Sequence, residues 1–320
     1  MAKLLINSDR KVLASQRGKI YKSPPSALKK LLDATKSAYC LFYQYKGTSV
    51  DGFIQYSDTE NVTNMSHMFN GCNNLQTIPQ LNTSNVTDME RMFEYCHNLQ
   101  TIPLLDTSKV TKMNIMFNSC DNLQSIPQLN TSNVNNMESM LIGCHELQTI
   151  PQLNTSNVTN MGSMFRNCYK LQSIPQLNTS KVYSMSWMFR ECSKLTTIPQ
   201  LDTSNVTYMD YMFGYCYLLP KIDITSMDKI TSTSYSSNMC YNCYSLTKLI
   251  IRTMTTIPAL NSNSFNNCYH FTGTVNSTYN PNGLKDGRIY VPDNMVDSLK
   301  QATNWSVYAD IIVPLSTLVE

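Results

Sequence analysis

The sequence predicts an α/β repeat: a solenoid of 24-residue coils, each a strand, a turn and a short helix, closed by a cap at either end. Three observations predict it. Cys72, Cys96, Cys120, Cys144, Cys168, Cys192 and Cys216 are each 24 residues apart. The residues around them repeat as V-x-x-M-x-x-M-F-x-x-C-x-x-L-x-x-I-P-x-L-[ND]-T-S, with one full copy in Val86, Met89, Met92, Phe93, Cys96, Leu99, Ile102, Pro103, Leu105, Asp106, Thr107 and Ser108. The chain has 320 residues, long for a single hydrophobic core, and a fixed period marks units that bury their apolar faces only by stacking on one another.

Each element of the coil follows from its residues. In Met89–Cys96 the apolar positions fall at i, i+3, i+4 and i+7, one face of a helix about two turns long. Leu99–Ile102 reads as a short strand that stops at Pro103, since proline has no N–H to give to a sheet ladder. Asn or Asp followed by Thr-Ser offers side-chain oxygens to turn the chain and cap the next helix. Two degenerate copies follow the seven regular ones, one through Met239, Cys240, Cys243 and Leu246 and one through Phe265, Cys268 and Phe271.

A stack of coils exposes an apolar face at each end unless capped. Three domains are expected: residues 1–50, a basic segment of short strands and a capping helix; residues 51–275, the solenoid; and residues 276–320, a strand–helix cap. In the first, Leu4–Ile6, Val12–Leu13 and Ile20–Tyr21 read as strands and Ser26–Gln44 as a helix with Leu28, Leu31, Leu32 and Ala38 on one side. In the last, Arg288–Pro292 reads as a strand and Asp293 as the cap of a helix to about Ala302. Trp305, Tyr308, Ile311 and Ile312 supply an apolar lid.

The M-x-x-M-F-x-x-C-x-x-L…[ND]-T-S-x-V pattern resembles the BspA-type leucine-rich repeat of mycoplasma and gut-bacterial surface proteins, over about residues 50–275. It departs from that family in a shorter coil, with Ile-Pro-Gln-Leu where a longer Leu-Asp-Leu-Ser-Asn-Phe stretch is usual, so a narrower or less regular sheet is expected. The tail from Ile289 to Ala309 is similar to tails that follow such repeats in proteins of gut Firmicutes and their phages. The opening Met1-Ala2-Lys3-Leu4-Leu5-Ile6-Asn7-Ser8 is similar to the starts of phage-encoded proteins. The resemblance implies a non-enzymatic recognition or adhesion module on a virion surface, joined to other virion proteins through residues 1–50 and binding a host surface glycan or protein. A structural decoration protein packing against neighbouring subunits and a bacterial cell-surface protein are the alternatives, and a homo-oligomer is left open.

Composition bounds the remaining classes. Charged residues make up only 15% of the chain and the net charge is +3, with residues 1–50 holding ten Lys and Arg against Asp9 and Asp33. A polar, weakly charged body does not suit nucleic acid. No stretch approaches the roughly 18–20 apolar residues of a membrane span, and three apolar residues at the start fall short of the roughly 7–15 of a secretory leader. No phosphate loop, nucleophile elbow or His-Glu-x-x-His motif is present. His97 and His145 share a column two coils apart, at about 10 Å by strand spacing, with no catalytic partner. Neither cofactor nor metal is expected.

Nine cysteines occupy the repeat position: Cys72, Cys96, Cys120, Cys144, Cys168, Cys192, Cys216, Cys243 and Cys268. They read as a buried ladder of free thiols that pack as small hydrophobes, with Cys40 and Cys240 outside it. The Met pairs are core by the same spacing. Sequence variety collects elsewhere, in columns such as His67, Arg91, Ile115, Ser139, Ser163, Trp187 and Tyr211. Aromatic residues gather toward the later coils, so Trp187, Tyr211, Arg190, Tyr215, Tyr183 and Tyr208 form the expected binding site. Rigid amphipathic rings with an adjacent guanidinium suit a sugar chain or an extended peptide. Numerous Asn-x-Ser/Thr triplets, such as Asn85-Val86-Thr87, read as turn residues rather than glycosylation acceptors.

Overall fold

The computed structural model describes residues 25–51 and 53–319, so the strands expected at Leu4–Ile6, Val12–Leu13 and Ile20–Tyr21 lie outside the described residues. The chain forms two compact units, residues 1–157 and 158–320, each a stack of coils with the repeat's Val, Met, Phe, Cys and Leu side chains at its centre. Helix α1, Pro25–Thr35, belongs to the first unit and the four-stranded sheet described below to the second. The cap elements therefore continue the coils rather than forming bodies of their own.

The apolar face of Met89–Cys96 is buried as the spacing requires, but the backbone beneath it is a ladder of turns where a two-turn helix was expected. In the first unit the amides of Met65, His67, Phe69 and Gly71 donate to the carbonyls of Asp88, Glu90, Met92 and Glu94 at 2.7–2.9 Å, one coil on. The intervening amides of Met68, Asn70 and Cys72 donate three residues back, at 3.1–3.2 Å. In the second unit Met161, Ser163, Phe165 and Asn167 repeat the pattern onto Ser184, Ser186, Met188 and Arg190. A helix would satisfy its amides within itself; here a neighbouring coil takes every second one. Apolar spacing of three and four residues serves both arrangements.

This ladder needs two left-handed residues per coil. The column His67, Arg91, Ile115, Ser139, Ser163, Trp187, Tyr211 has φ of 51–63°, and the column Tyr95, Ser119, Asn167, Glu191, Tyr215, with Gly71 and Gly143, has φ of 58–73°. Left-handed backbone costs a residue with a Cβ roughly 1–2 kcal/mol, offset here by the bonds between coils. Ile115, β-branched at φ 62°, is the most strained. Ile115→Asn is expected to raise stability by about 1 kcal/mol, measured as a higher denaturant midpoint with an unchanged slope.

The same ladder begins before the regular repeats. Helix α1 stops at Lys36, whose φ is 51° and whose amide closes on Leu32 at 2.7 Å, rather than running to Gln44. Residues 37–45 form a further coil: Ala38, Cys40, Phe42 and Gln44 donate to Asn64, Ser66, Met68 and Asn70, and Phe42 stacks on Phe69 at 5.3 Å. Phe69, Phe93 and Phe117 continue the stack at 5.5 Å. In the second unit Phe165, Phe189 and Phe213 stack at 5.6 and 5.7 Å.

All eleven cysteines are free and buried, Cys40 and Cys240 included. The ladder thiols also donate hydrogen bonds. Cys72, Cys96, Cys120 and Cys144 reach the carbonyls of Phe42, Phe69, Phe93 and Phe117 at 2.9–3.3 Å. In the second unit Cys192, Cys216 and Cys243 reach those of Phe165, Phe189 and Phe213 at 3.0–3.1 Å. Cysteine fits because it is small, apolar and still a weak donor.

The sheet face is as irregular as the shortened coil suggests, and proline explains where. In the first unit Gln76, Gln100 and Gln124 each carry a single backbone bond between coils at this face, at 2.9–3.3 Å. Pro79, Pro103 and Pro127 can give no further amide. Glutamine side chains replace the missing bond: Gln80 Nε2 donates to the Leu104 carbonyl and Gln128 Nε2 to that of Gln152, both at 2.7 Å. In the second unit the equivalent positions after Cys216 and Cys243 are Asp223 and Ile250, not proline, and true strands appear there. β1 (Lys221–Ile224), β2 (Lys248–Ile251), β3 (Arg288–Val291) and β4 (Ile312–Pro314) form one parallel sheet in that order. Arg252 pairs with both oxygens of Asp223 at 2.7 and 2.8 Å.

The C-terminal lid forms as expected. Trp305 is fully buried, donates from Nε1 to the Pro258 carbonyl at 3.0 Å and lies 6.4 Å from Phe265, and Tyr308 meets the same ring edge-on at 5.2 Å. Asp293 does not cap a helix directly. It opens a 3₁₀ turn, Asp293–Met295, before the helix Val296–Gln301, and its carboxylate accepts the Ser316 amide at 3.1 Å.

The Asn/Asp-Thr-Ser turn is accounted for residue by residue. Asp106 accepts its own Ser108 amide at 3.0 Å. Thr107 Oγ1 donates to the Asn130 carbonyl and accepts the Asn130 amide, joining coils at 2.9 and 2.7 Å. The asparagines of the Asn-Val-Thr triplets are rungs too: Asn85 donates to the Glu60 carbonyl at 2.9 Å and Asn205 to that of Ser180 at 2.8 Å.

Candidate functional site

The six residues expected to form a site all lie in the second unit, on its turn-ladder side. Trp187 and Tyr211 occupy the same left-handed column in successive coils, their amides held by the Asp210 and Ser237 carbonyls at 2.8 Å, and their rings lie 4.9 Å apart, inclined at 38°. Arg190 follows Trp187 by one turn. Its guanidinium carbon stands 4.5 Å from the Trp187 ring, 5.1 Å from Tyr211 and 5.4 Å from Tyr215. It is thus a cation shared by three π faces, an attraction of about 0.5–2 kcal/mol at each well-placed ring. Asp210 fixes the indole, accepting Trp187 Nε1 at 2.5 Å while also accepting the Ser186 hydroxyl. Glu191 pairs with Arg190 at 3.1 Å.

Tyr183 and Tyr208 form a separate pair, edge to face at 6.5 Å and exposed at 46% and 37%. Tyr235 extends that pair, 4.7 Å from Tyr208. Trp187, Tyr211 and Tyr215 are only half-exposed. The structure thus divides the expected site into a guanidinium-bound aromatic centre and an open tyrosine edge.

Sequence reasoning missed part of the surface. Tyr217, Tyr244 and Tyr269 each follow a ladder cysteine and stack at 4.9 Å with tilts of 13° and 14°. Tyr279 packs on Tyr244 at 4.9 Å, and Tyr241 on Tyr215 at 5.4 Å. Burial and the neighbouring tyrosines push the Tyr244 hydroxyl up to about 12. The signal was present: Cys243 and Cys268 set the register in which Tyr244 and Tyr269 continue the column of Tyr217.

The strand side is different in kind. Its repeated glutamines are rungs between coils, so their monotony has a structural cause. In the first unit His97 Nδ1 lies 3.0 Å and His145 Nδ1 3.9 Å from the two oxygens of Asp121. Among the described residues no group of three His, Cys, Asp or Glu is placed to hold a metal ion, and no described helix is long and apolar enough to cross a membrane.

Solved leucine-rich repeat structures are similar to the chain. A leucine-rich repeat protein from Eubacterium ventriosum aligns over 48% of this chain at 21% identity, with a TM-score of 0.36. The chain spans 39% of that protein's length. A leucine-rich repeat protein from Bacteroides ovatus aligns over 86% of this chain and 85% of its own at 14% identity, with a TM-score of 0.29. Scores at that level add nothing to what the coils themselves show. No curated protein matches the sequence. A family profile does, in overlapping copies over residues 37–150, 97–196, 143–253 and 169–278, the stretch that carries the turn ladder. The chain belongs to the family described as "Mycoplasma protein of unknown function, DUF285", here built as a leucine-rich-repeat-like solenoid.

Proposed function

We propose that the protein is a non-enzymatic recognition or adhesion module that binds a host surface glycan or protein through the turn-ladder side of its second unit. The observation that carries this reading is the placement of Trp187, Tyr211 and Tyr215 on left-handed backbone. A large aromatic residue is unfavourable there, and asparagine or glycine would be easier. The coil at Asn238 and Asn242 uses asparagine in both columns. Backbone strain is common at binding sites, and here it coincides with the rings that share Arg190.

The module is displayed on a virion, attached to other virion proteins through its basic N-terminal residues. The likeness of its tail to tails of phage-encoded repeat proteins supports this. The family's mycoplasma description favours a second reading, a bacterial cell-surface protein; a gene neighbourhood of tail and capsid genes separates the two.

The test compares two double variants for binding to whole Firmicutes cells. Trp187→Ala with Tyr211→Ala is expected to weaken binding by about 2 kcal/mol or more, the loss usual for a central aromatic anchor. Gln128→Ala with Gln152→Ala removes the rung from Gln128 to the next coil and is expected to lower the melting temperature while leaving binding intact. Loss of binding only in the glutamine pair contradicts the proposed face.

A further inference from the structure

The centre of this site holds more positive charge than the protein itself balances. Arg166, one coil before Arg190, places its guanidinium carbon 4.5 Å from the Trp187 ring, the distance at which Arg190 also stands. Two guanidiniums therefore share one indole. Glu191 pairs with Arg190, and Asp210 is engaged by Trp187 and Ser186. Glu191 also attracts Arg166, so one carboxylate serves two guanidiniums. The Arg166 Nε is buried without a hydrogen-bond partner, as are the Nε of Arg190 and the Oδ1 of Asn167 beside it in sequence. Burial first, and repulsion from Arg190 second, lower the Arg166 pKa from its ordinary value against the opposing pull of Glu191. The Tyr169 ring is 38% exposed; burial first, then the charge and hydrogen bond of Glu191, raise its hydroxyl pKa, while Arg166 and Arg190 lower it.

A half-buried guanidinium beside a like charge, with buried donors unmatched, is costly in the free protein. An oxyanion would relieve it, forming charge-assisted bonds that the resident carboxylates do not supply. The unmatched Asn167 acceptor calls for a hydroxyl donor on the same ligand, and the exposed Tyr169 ring for a flat apolar face. Carboxylate or phosphate, hydroxyl and ring face occur together in an acidic sugar. We infer that Arg166, Arg190, Asn167 and Tyr169 form a subsite for an acidic polysaccharide, with its anionic group on Arg166. This rests on the recognition reading above and narrows it to a ligand class.

The test is titration of the purified full chain with polygalacturonate and with phosphorylated dextran. Methyl-esterified polygalacturonate and plain dextran serve as neutral controls, and poly-L-glutamate as an acidic peptide. Binding of one or both acidic glycans, weakened by salt, is expected, and the preferred polymer tells carboxylate from phosphate. Arg166→Gln is expected to weaken that binding tenfold or more, and Arg166→Lys by less, because lysine keeps the charge without the planar fork. Melting temperatures of both variants identify any loss that comes from unfolding. Equal binding of neutral and acidic glycans, equal binding of poly-L-glutamate, or a folded Arg166→Gln variant of unchanged affinity overturns the inference. Cell binding that depends on Trp187 and Tyr211 without any affinity for acidic glycans overturns the subsite and leaves the recognition module standing. Affinity for acidic glycans without cell binding does the reverse.

Discussion

Above about pH 9 both units are expected to unfold steeply. The cause is the thiol column. Burial pushes the thiols of Cys96 and Cys120 in the first unit, and of Cys192, Cys216, Cys240 and Cys268 in the second, well above the ordinary value of 9.0. A group whose folded pKa is raised stabilises the fold fully below its unfolded pKa, and that stability is lost as pH rises beyond it. Each thiol that stays protonated in the folded state and ionises in the unfolded one removes about 1.4 kcal/mol per pH unit. Cys96 and Cys120 alone give a slope of about 3 kcal/mol per pH unit in the first unit, and Cys192, Cys216, Cys240 and Cys268 alone give about 5–6 in the second. Against a typical stability of roughly 5–15 kcal/mol, the second unit is expected to be lost between about pH 10 and 12. Denaturant melts at stepped pH measure this, with thiol reagent counting released groups. All eleven cysteines, not the nine of the repeat alone, are expected to be shielded at pH 7, because Cys40 and Cys240 are buried as well. A flat stability between pH 8 and 10.5 contradicts the buried-thiol account.

Replacing Trp187 and Tyr211 together by asparagine is expected to separate folding from recognition. Both residues sit on left-handed backbone, at φ 63° and 51°, where asparagine is among the few side chains at ease. The substitution relieves roughly 1–2 kcal/mol of strain per residue and removes the cation–π contacts to Arg190 and Arg166, about 0.5–2 kcal/mol each, with the Trp187–Asp210 hydrogen bond. The two terms nearly cancel, so the melting temperature should move by only a few degrees. Binding to cells should fall about thirtyfold or more, the loss expected when a central aromatic is removed. If both stability and binding fall together, the rings are structural. If neither falls, the contact lies elsewhere.

How legible this was follows from particular residues. The 24-residue period, the core and the buried cysteine column could be read directly, because stacking makes each column a repeated environment. The turn ladder could not. Apolar residues at three- and four-residue spacing fit a helix and a run of three-residue turns alike, and the deciding factor is a neighbouring coil that competes for every second amide. Lys36 and the coil at residues 37–45 were misread for the same reason. Leu41-Phe42-x-x-Tyr45 keeps the Met-Phe-x-x-Cys spacing 27 residues before Phe69, but with tyrosine for cysteine it merges into the preceding helical pattern. Strand β3 could be read directly at Arg288–Pro292, whereas β1 and β2 were foreseeable only once proline was followed along its column, absent at Asp223 and Ile250. At the site, the pairing of Trp187 with Tyr211 and Arg190 was visible from the columns. Arg166 beside Arg190 was visible as well; the stacking of Tyr244 and Tyr269 on Tyr217 was not, since it depends on which side chains reach across coils.

Hydrogen exchange with and without bound cell-wall polysaccharide tests the central claim most directly. The surface formed by the turns of the second unit is predicted to be the contact, so exchange should slow in Met185–Glu191 and Met209–Tyr215, with no change around Gln124–Gln128. Slowing confined to the glutamine column, or to the residues before Pro25, would place the contact elsewhere and contradict it.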